Sequence, residues 1–457
     1  MKTFLKVIRD IFGIPELRRR VFITFALLGI YRIGFHIYLP GIDMDALGRV
    51  ITEMERTGGS GLVAFLNMTS ALTGAALSRA TIFSLGIMPY ISASIIFSLL
   101  VKVFPRLEAL QKEGESGRRI INRYTRYSTV ALCLVQSIFV VVWLRSSQGS
   151  ARVVISEVPF MMHVLQVMVL TSGTVFLMWL GEKITEHGIG NGISLIIMAG
   201  IIARMPGALI TLGKGAVDAS SDERAFFILK LLFLCALFFA IVAAVVYITK
   251  GQRRIPVQQA RTVKGRKVYG GQKHYMPIRV NSAGVLPIIF AQSLIMLPTG
   301  ALAYVVGEEN SGFLSIFAPG SFWYMVLYAL LIGFFTYFWT SLMFNPAEIS
   351  ENMKEYGSFI PGIRPGRRTA EYLTQVLNRI TLTGAVFLAV IALVPQIVTD
   401  TMDINIFVSG FLGGTGMLIV VGVALDLVDK IEAQLLVRHY EGFMRAGGEG
   451  AGKGGSS

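Results

Sequence analysis

The side chains whose spacing stands out carry no reactive group. Ile87, Ile91 and Ile95 recur every fourth residue in TIFSLGIMPYISASIIFSLLV, residues 81–101. A helix would place all three on one face. A row of branched alkyl groups can pack and exclude water; it cannot react. Gly86 and Pro89 weaken the helix of the same segment. Residues 61–79 (GLVAFLNMTSALTGAALSR), just before it, are semi-apolar and full of small side chains. The basic stretch KEGESGRR follows. This is the pattern of a span that lines something, with a short element beside it. The same isoleucine spacing is also that of an ordinary lipid-facing or core-packing face.

The groups that could do acid–base or metal chemistry are few and scattered. Arg32, His36 and His163 lie within apolar stretches, and Glu182, Asp426 and Asp429 fall at their ends. Ion-coupled pumps keep acidic residues near the bilayer midplane, and none is evident. Arg32 and His36 read as structural pairing or snorkelling near the outer interface. Glu182, Glu186 and His187 in GEKITEHGIGNG read as capping and interfacial charge at a helix end. There is no Walker A sequence, no HExxH and no nucleophile–base pair, so neither an enzyme, a metal site nor a cofactor is expected. Cys133 and Cys235 both fall in apolar stretches and read as buried thiols. The tail GGEGAGKGGSS has Gly-x-Gly spacing but follows no strand and opens no helix.

The elements that hold these residues must be membrane spans. Of 457 residues, 53% are hydrophobic and 15% charged, against roughly 25% charged in soluble domains. Ten candidate spans follow, at about 21–39, 80–101, 127–144, 158–180, 189–210, 225–248, 283–305, 322–344, 376–397 and 406–428. Each approaches the ~20 residues that cross ~30 Å of hydrocarbon. The run 21–39 is too long for a signal-peptide core and no cleavage pattern follows it, so it is expected to be retained. Segments 1–20, 102–126, 181–188, 250–279, 354–368 and 430–453 hold 31 Lys/Arg, and the opposite loops hold nine. The positive-inside rule then places both termini in the cytoplasm. Counting 61–79 as a full span would turn the strongly basic loop 250–279 outward. Residues 61–79 are therefore expected not to cross. Their Asn67, Thr69, Ser70, Thr73 and Gly74 suit a half-inserted element at a cavity.

Two cytoplasmic loops are long. Loop 250–279 carries nine Lys/Arg and no Asp or Glu. Residues 257–268 partly alternate about Lys264-Gly265, which predicts a projecting β-hairpin. Loop 345–375 is rich in Gly and Pro and contains a basic cluster. Topogenic charge and attraction to anionic lipid account for the sign. The length and hairpin character suit a docking platform for an acidic protein or for ribosomal RNA.

Six stretches carry a resemblance to a known family: ALSRATIFSLGIMPYISASII, KEGESGRRIINRYTRY, FLMWLGEKITEHGIGNGIS, GQRRIPVQQA with GRKVYGGQ, FNPAEISENMKEYGSFIPGIRPG, and GGTGMLIVV. The chain resembles the SecY family, channel subunits of the bacterial protein-conducting translocon, over nearly its whole length. The resemblance implies an all-α polytopic membrane protein. Ten transmembrane helices would form two pseudo-symmetric five-helix halves, about 21–210 and 225–430, around a central pore. Residues 1–20 and 431–457 would be a cytoplasmic N-terminus and a flexible cytoplasmic tail. It implies an apolar pore ring at Ile87, Ile91, Ile193, Ile197, Ile289 and Ile419, which leaves out Ile95. It implies a plug at about 61–77, a lateral gate with Ser92, Ser98 and Leu297, and docking residues Arg266 and Arg364. No cofactor is implied. The implied partners are the small subunits SecE and SecG, the motor ATPase SecA, the ribosome, signal peptides and unfolded preproteins, and membrane lipids. The implied location is the bacterial inner membrane. Pro89 would remove one helix bond and let the gate helix bend.

Three positions depart from the family pattern. Ala347 stands where many members carry Arg, Ser98 where Gln is frequent, and Gly416 where Ser is frequent. From the residues alone two other classes stay open. A solute symporter also uses inverted repeats and broken helices, and an intramembrane enzyme is the third reading.

Overall fold

The computed structural model describes residues 13–49, 80–146, 160–203, 221–259, 262–264, 267–269, 273–292, 321–402 and 414–451, with short pieces at 205–207, 210, 213 and 294–295. Its chain divides into two compact units. One comprises Met1–Gly58, Leu66–Pro206 and Val423–Ser457, the other Gly59–Phe65 and Gly207–Gly422.

The first unit is helical. It holds α1 (Pro15–Gly34), α2 (Met88–Val103), α3 (Pro105–Lys112), α4 (Glu115–Ser146), α5 (Phe160–His187) and α6 (Gly192–Ile202). α2 and α3 meet at 99°. The cause is local: Phe104 is extended at φ −99°, ψ 114°, because a residue before proline is pushed out of the helical region. Ser137 and Thr171 hydroxyls meet at 3.3 Å in the apolar seam of α4 and α5.

The second unit holds α7 (Ser221–Lys250), β1 (Gln252–Gln259), β2 (Thr262–Lys264), β3 (Lys267–Tyr269), β4 (Lys273–Arg279), α8 (Phe322–Met343), α9 (Pro346–Glu355), β5 (Ser358–Phe359) and α10 (Arg367–Thr401). A last helix, α11 (Gly414–Ala451), starts in it, with its residues from Val423 onward in the first unit. The expected hairpin is present and larger than its sequence signal. β1 and β4 pair antiparallel from Gln252↔Arg279 to Gln258↔Lys273. The alternating tip forms a separate small ribbon, β2 with β3, in register Thr262↔Tyr269. β5, from the other long loop, adds to the free edge of β1 through Gln258↔Phe359 and Gln259↔Ser358. The two loops thus share one sheet, ordered β4-β1-β5. Ile255 and Ile278 on its inner face pack with Ile360 and with Leu373, Val376, Leu377 and Ile380 of α10.

Among the described residues, five helices are long and apolar enough to cross a membrane, or six if the bent pair α2–α3 counts as one span. Two expected spans differ in form. The helix expected to run to residue 39 ends at Gly34, and the one expected from residue 80 begins only at Met88. Between these helix ends Tyr38 and Thr81 form an antiparallel bridge: Leu39 N–H donates to the Ala80 carbonyl at 2.8 Å, and Ile82 N–H to the Ile37 carbonyl at 3.1 Å. Non-helical backbone at membrane depth persists only where such partners satisfy it. Cys133 is buried as expected, whereas Cys235 is exposed on α7.

Candidate pore-lining site

The approach to α2 is fixed by packing. Phe83 is 1% exposed and stacks with Tyr31 at 6.2 Å and Phe176 at 6.1 Å, with Phe35 edge-on at 5.8 Å. Gly34 and Gly173 make room for it: a Cβ at Gly34 would lie 1.9 Å from the Phe83 ring, and one at Gly173 2.1 Å from the Ile82 carbonyl oxygen. Gly86 turns the chain into α2 with φ +57°, a conformation glycine adopts freely. Ile87 is the residue before the helix, and its carbonyl accepts from Ile91 N–H at 3.1 Å. The two side chains therefore stand one turn apart on one face. Ile87 is buried and Ile91 half-buried.

Pro89 does not bend this helix. It sits in the first turn, where its missing N–H has no intrahelical partner to lose. The expected loss of a helix bond to Leu85 is overturned, since the chain at Leu85 is not helical. The abrupt direction change comes instead at Phe104-Pro105.

The motif GEKITEHGIGNG closes α5 and opens α6. Asn191 caps α6, its side-chain oxygen accepting from Ile193 N–H at 3.1 Å and Ser194 N–H at 3.3 Å. Thr185 Oγ1 accepts from Gly192 N–H at 2.8 Å. Thr24 of α1 accepts from Ile189 N–H at 3.1 Å while donating to the Arg20 carbonyl. The turn is pressed so tightly that a Cβ on Gly192 would meet the Gly181 carbonyl oxygen at 2.0 Å. This corner aims α6, and with it Ile193 (half-buried) and Ile197 (buried), again one turn apart. Thr24 and Thr185 carry no local sequence signal for these roles, whereas Asn191, ahead of an apolar run, carries a capping signal.

In the second unit Ile289 is buried in the helical stretch 286–292, where Phe290 packs on Phe335 and Trp339 of α8 at 5.2 and 5.4 Å. Ile419 is buried on α11. Ser92 is half-buried, and Ser98 is exposed with its hydroxyl donating to the Ser94 carbonyl at 2.8 Å. Ser98 is thus satisfied within its own helix. Leu297, Arg266 and the plug residues Asn67, Thr69, Ser70, Thr73 and Gly74 lie outside the described residues. Arg364 is exposed on the GIRPG turn. That turn is held by Thr369 Oγ1 donating to the Arg364 carbonyl at 3.0 Å and Ser350 Oγ donating to the Gly366 carbonyl at 2.6 Å.

Several of the ionisable groups have local partners. The Arg32 guanidinium lies 6.0 Å from the Phe35 ring centre, and His36 Nδ1 is 3.2 Å from the Arg32 carbonyl oxygen. Glu182 pairs with Arg126 at 2.8 Å, bridging α5 and α4. Glu186 pairs with Lys183 and Asp426 with Lys430, each at 2.8 Å. Among the described residues, no group of three or more His, Cys, Asp or Glu could hold a metal ion.

The family model SecY matches residues 81–428. The chain belongs to the SecY family. Its relatives in that family include the protein translocase subunit SecY of Thermotoga maritima, 42% identical over 441 residues that cover 96% of this chain and 97% of the relative. The SecY subunit of Escherichia coli K12 is 42% identical over 437 residues, 95% of each chain. The fold is similar to that of a protein-conducting channel, with TM-score 0.60 at 18% identity over 91% of this chain and 92% of the other. It is also similar to Sec61 in a canine ribosome–channel complex, with TM-score 0.57 at 16% identity and the same coverage. The SecY match opens at Thr81, where the turns that lead into α2 begin.

Proposed function

We infer that this protein is the channel-forming subunit of a protein translocase, passing unfolded secretory chains across a membrane and releasing apolar segments sideways into lipid. Membership of the SecY family over residues 81–428 carries this reading. Ten spans in two pseudo-symmetric halves enclose the pore, with both termini cytoplasmic at the bacterial inner membrane. Ile87, Ile91, Ile193, Ile197, Ile289 and Ile419 form the constriction. Branched aliphatic side chains exclude water and ions by dewetting, so no charged filter is needed. Apolar contact is non-directional, so the ring can stretch around any sequence. Residues 61–77 act as a plug, a second seal. Ser92, Ser98 and Leu297 lie along the lateral gate, where a nascent helix gains roughly 0.3–0.6 kcal/mol per central Leu, Ile, Phe or Val on entering lipid.

The paired loops form the docking surface. β5 seated on β1 joins them into one body, and Arg364 stands exposed on it. Arg266 and Arg364 engage SecA or the ribosome, and SecE and SecG complete the membrane complex. The symporter reading lacks the midplane carboxylate it needs. The test is resting conductance in planar bilayers. Ile289→Asn puts an amide into the ring and is expected to leak ions at rest where the parent is closed. Unchanged conductance would sink the ring assignment.

A further inference from the structure

Ala80 is the only non-glycine residue at positive φ among the described residues, at +39°. That conformation crowds the Cβ of an L-residue against the following carbonyl. Ala80 is buried, and so is its neighbour Thr81. The Thr81 hydroxyl has no hydrogen-bond partner, which leaves a desolvated polar group uncompensated. Two unfavourable features therefore sit side by side at one joint of the chain, seven residues before Ile87.

What holds the joint lies across the fold. Tyr38 and Thr81 form an antiparallel bridge. Its flanking bonds, from Leu39 N–H to the Ala80 carbonyl and from Ile82 N–H to the Ile37 carbonyl, make this a non-hydrogen-bonded pair, in which facing side chains stand closest. Ser84 Oγ donates to the Thr81 carbonyl at 2.7 Å. Phe83 is clamped between Tyr31 and Phe176. Strained backbone persists only where its surroundings over-determine it, and here they amount to two cross-chain backbone bonds and one aromatic cluster. At the far end of the segment Gly86, at φ +57°, gives a second point of easy rotation.

We propose that residues 80–87 are a preloaded latch, an inference that rests on the channel reading above. The segment releases residues 37–39 as a chain enters, and Ile87 moves with it. Release breaks the two cross-chain bonds. It also relieves Ala80 and lets the Thr81 hydroxyl find a partner. The opposing contributions keep the two arrangements close in free energy, as a switch between populated states requires. A joint with the same bonds and no strain would simply stay shut.

Two measurements on the full chain test the latch. Amide exchange at Leu39 and Ile82 requires their bonds to open. Ala80→Gly relaxes the joint, and about 5-fold slower exchange of both amides is expected after allowing for the freedom glycine gains in the open state. Thr81→Val removes the orphan hydroxyl and should slow them too. The Ile189 amide, held by Thr24 elsewhere in the same unit, should be unchanged in both variants. Unchanged exchange at Leu39 and Ile82 would overturn the proposal, and so would equal slowing at Ile189, which means general stabilisation. The second measurement locks the segment. Tyr38→Cys with Thr81→Cys, in a Cys235→Ser background, places two thiols at the bridge pair within disulfide range. Oxidation is expected to abolish export of a secretory chain in reconstituted vesicles, and dithiothreitol to restore it. Full export by the oxidised protein would overturn the latch. Absence of export by the parent and the reduced variant alike would count against the channel reading instead, and amide exchange would still decide the latch.

Discussion

Gly192→Ala should damage both the stability and the seal of this protein. The added Cβ would lie 2.0 Å from the Gly181 carbonyl oxygen and 2.7 Å from Ile184 Cβ. Both belong to α5 rather than to a flexible side-chain end. A tolerable carbon–oxygen contact is about 3.3 Å, so α6 must retreat from α5 by more than about 1 Å. Overpacking of this kind costs ~1–3 kcal/mol. The retreat also stretches the 2.8 Å bond from Gly192 N–H to Thr185 Oγ1, worth ~0.5–1.5 kcal/mol. The expected loss is therefore about 1.5–4.5 kcal/mol, read by unfolding in detergent. Because α6 carries Ile193 and Ile197, the same shift should raise resting conductance. The comparison is Gly333→Ala in α8, where a Cβ meets nothing within 4 Å. It should be neutral or stabilising by up to ~1 kcal/mol. A Gly192→Ala protein with parental stability and conductance would refute the claim that this corner aims the isoleucines.

Thr24→Val keeps the shape but leaves the buried Ile189 N–H without its acceptor. A loss of ~1–3 kcal/mol is expected, with Thr24→Ser retaining most stability in the same unfolding assay. Arg364→Glu should leave stability within ~0.5 kcal/mol, as for other exposed sites, because the turn is held through backbone carbonyls. It should slow motor-driven export from reconstituted vesicles, and normal export kinetics would remove Arg364 from the docking surface.

What the sequence made legible followed from how far each signal reaches. Ile87 and Ile91 on one face needed only a helical period, and the structure gives them that spacing. Pro89 was misread because a proline inside an apolar run looks the same whether it breaks a helix or starts one. The start was decided by Phe83, whose partners Tyr31, Phe35 and Phe176 are remote in sequence. The hairpin showed only its tip, since Pro256 and Pro277 interrupt the alternation of β1 and β4. β5 is two residues long and exists only because β1 offers an edge. Thr24 carries no local signal, because its acceptor role depends on Ile189, 165 residues away.

The most direct test of the central claim is photocrosslinking to a stalled secretory chain in reconstituted membranes. A probe is placed in turn at Ile91, Ile197, Ile289 and Ile419, with exposed Ile96 and Leu382 as lipid-facing controls. Adducts to the chain are expected from the first four positions, lost when the chain is released, and none from the controls. Adducts from the controls alone, or equally from every position, would contradict a protein-conducting path through the isoleucine ring.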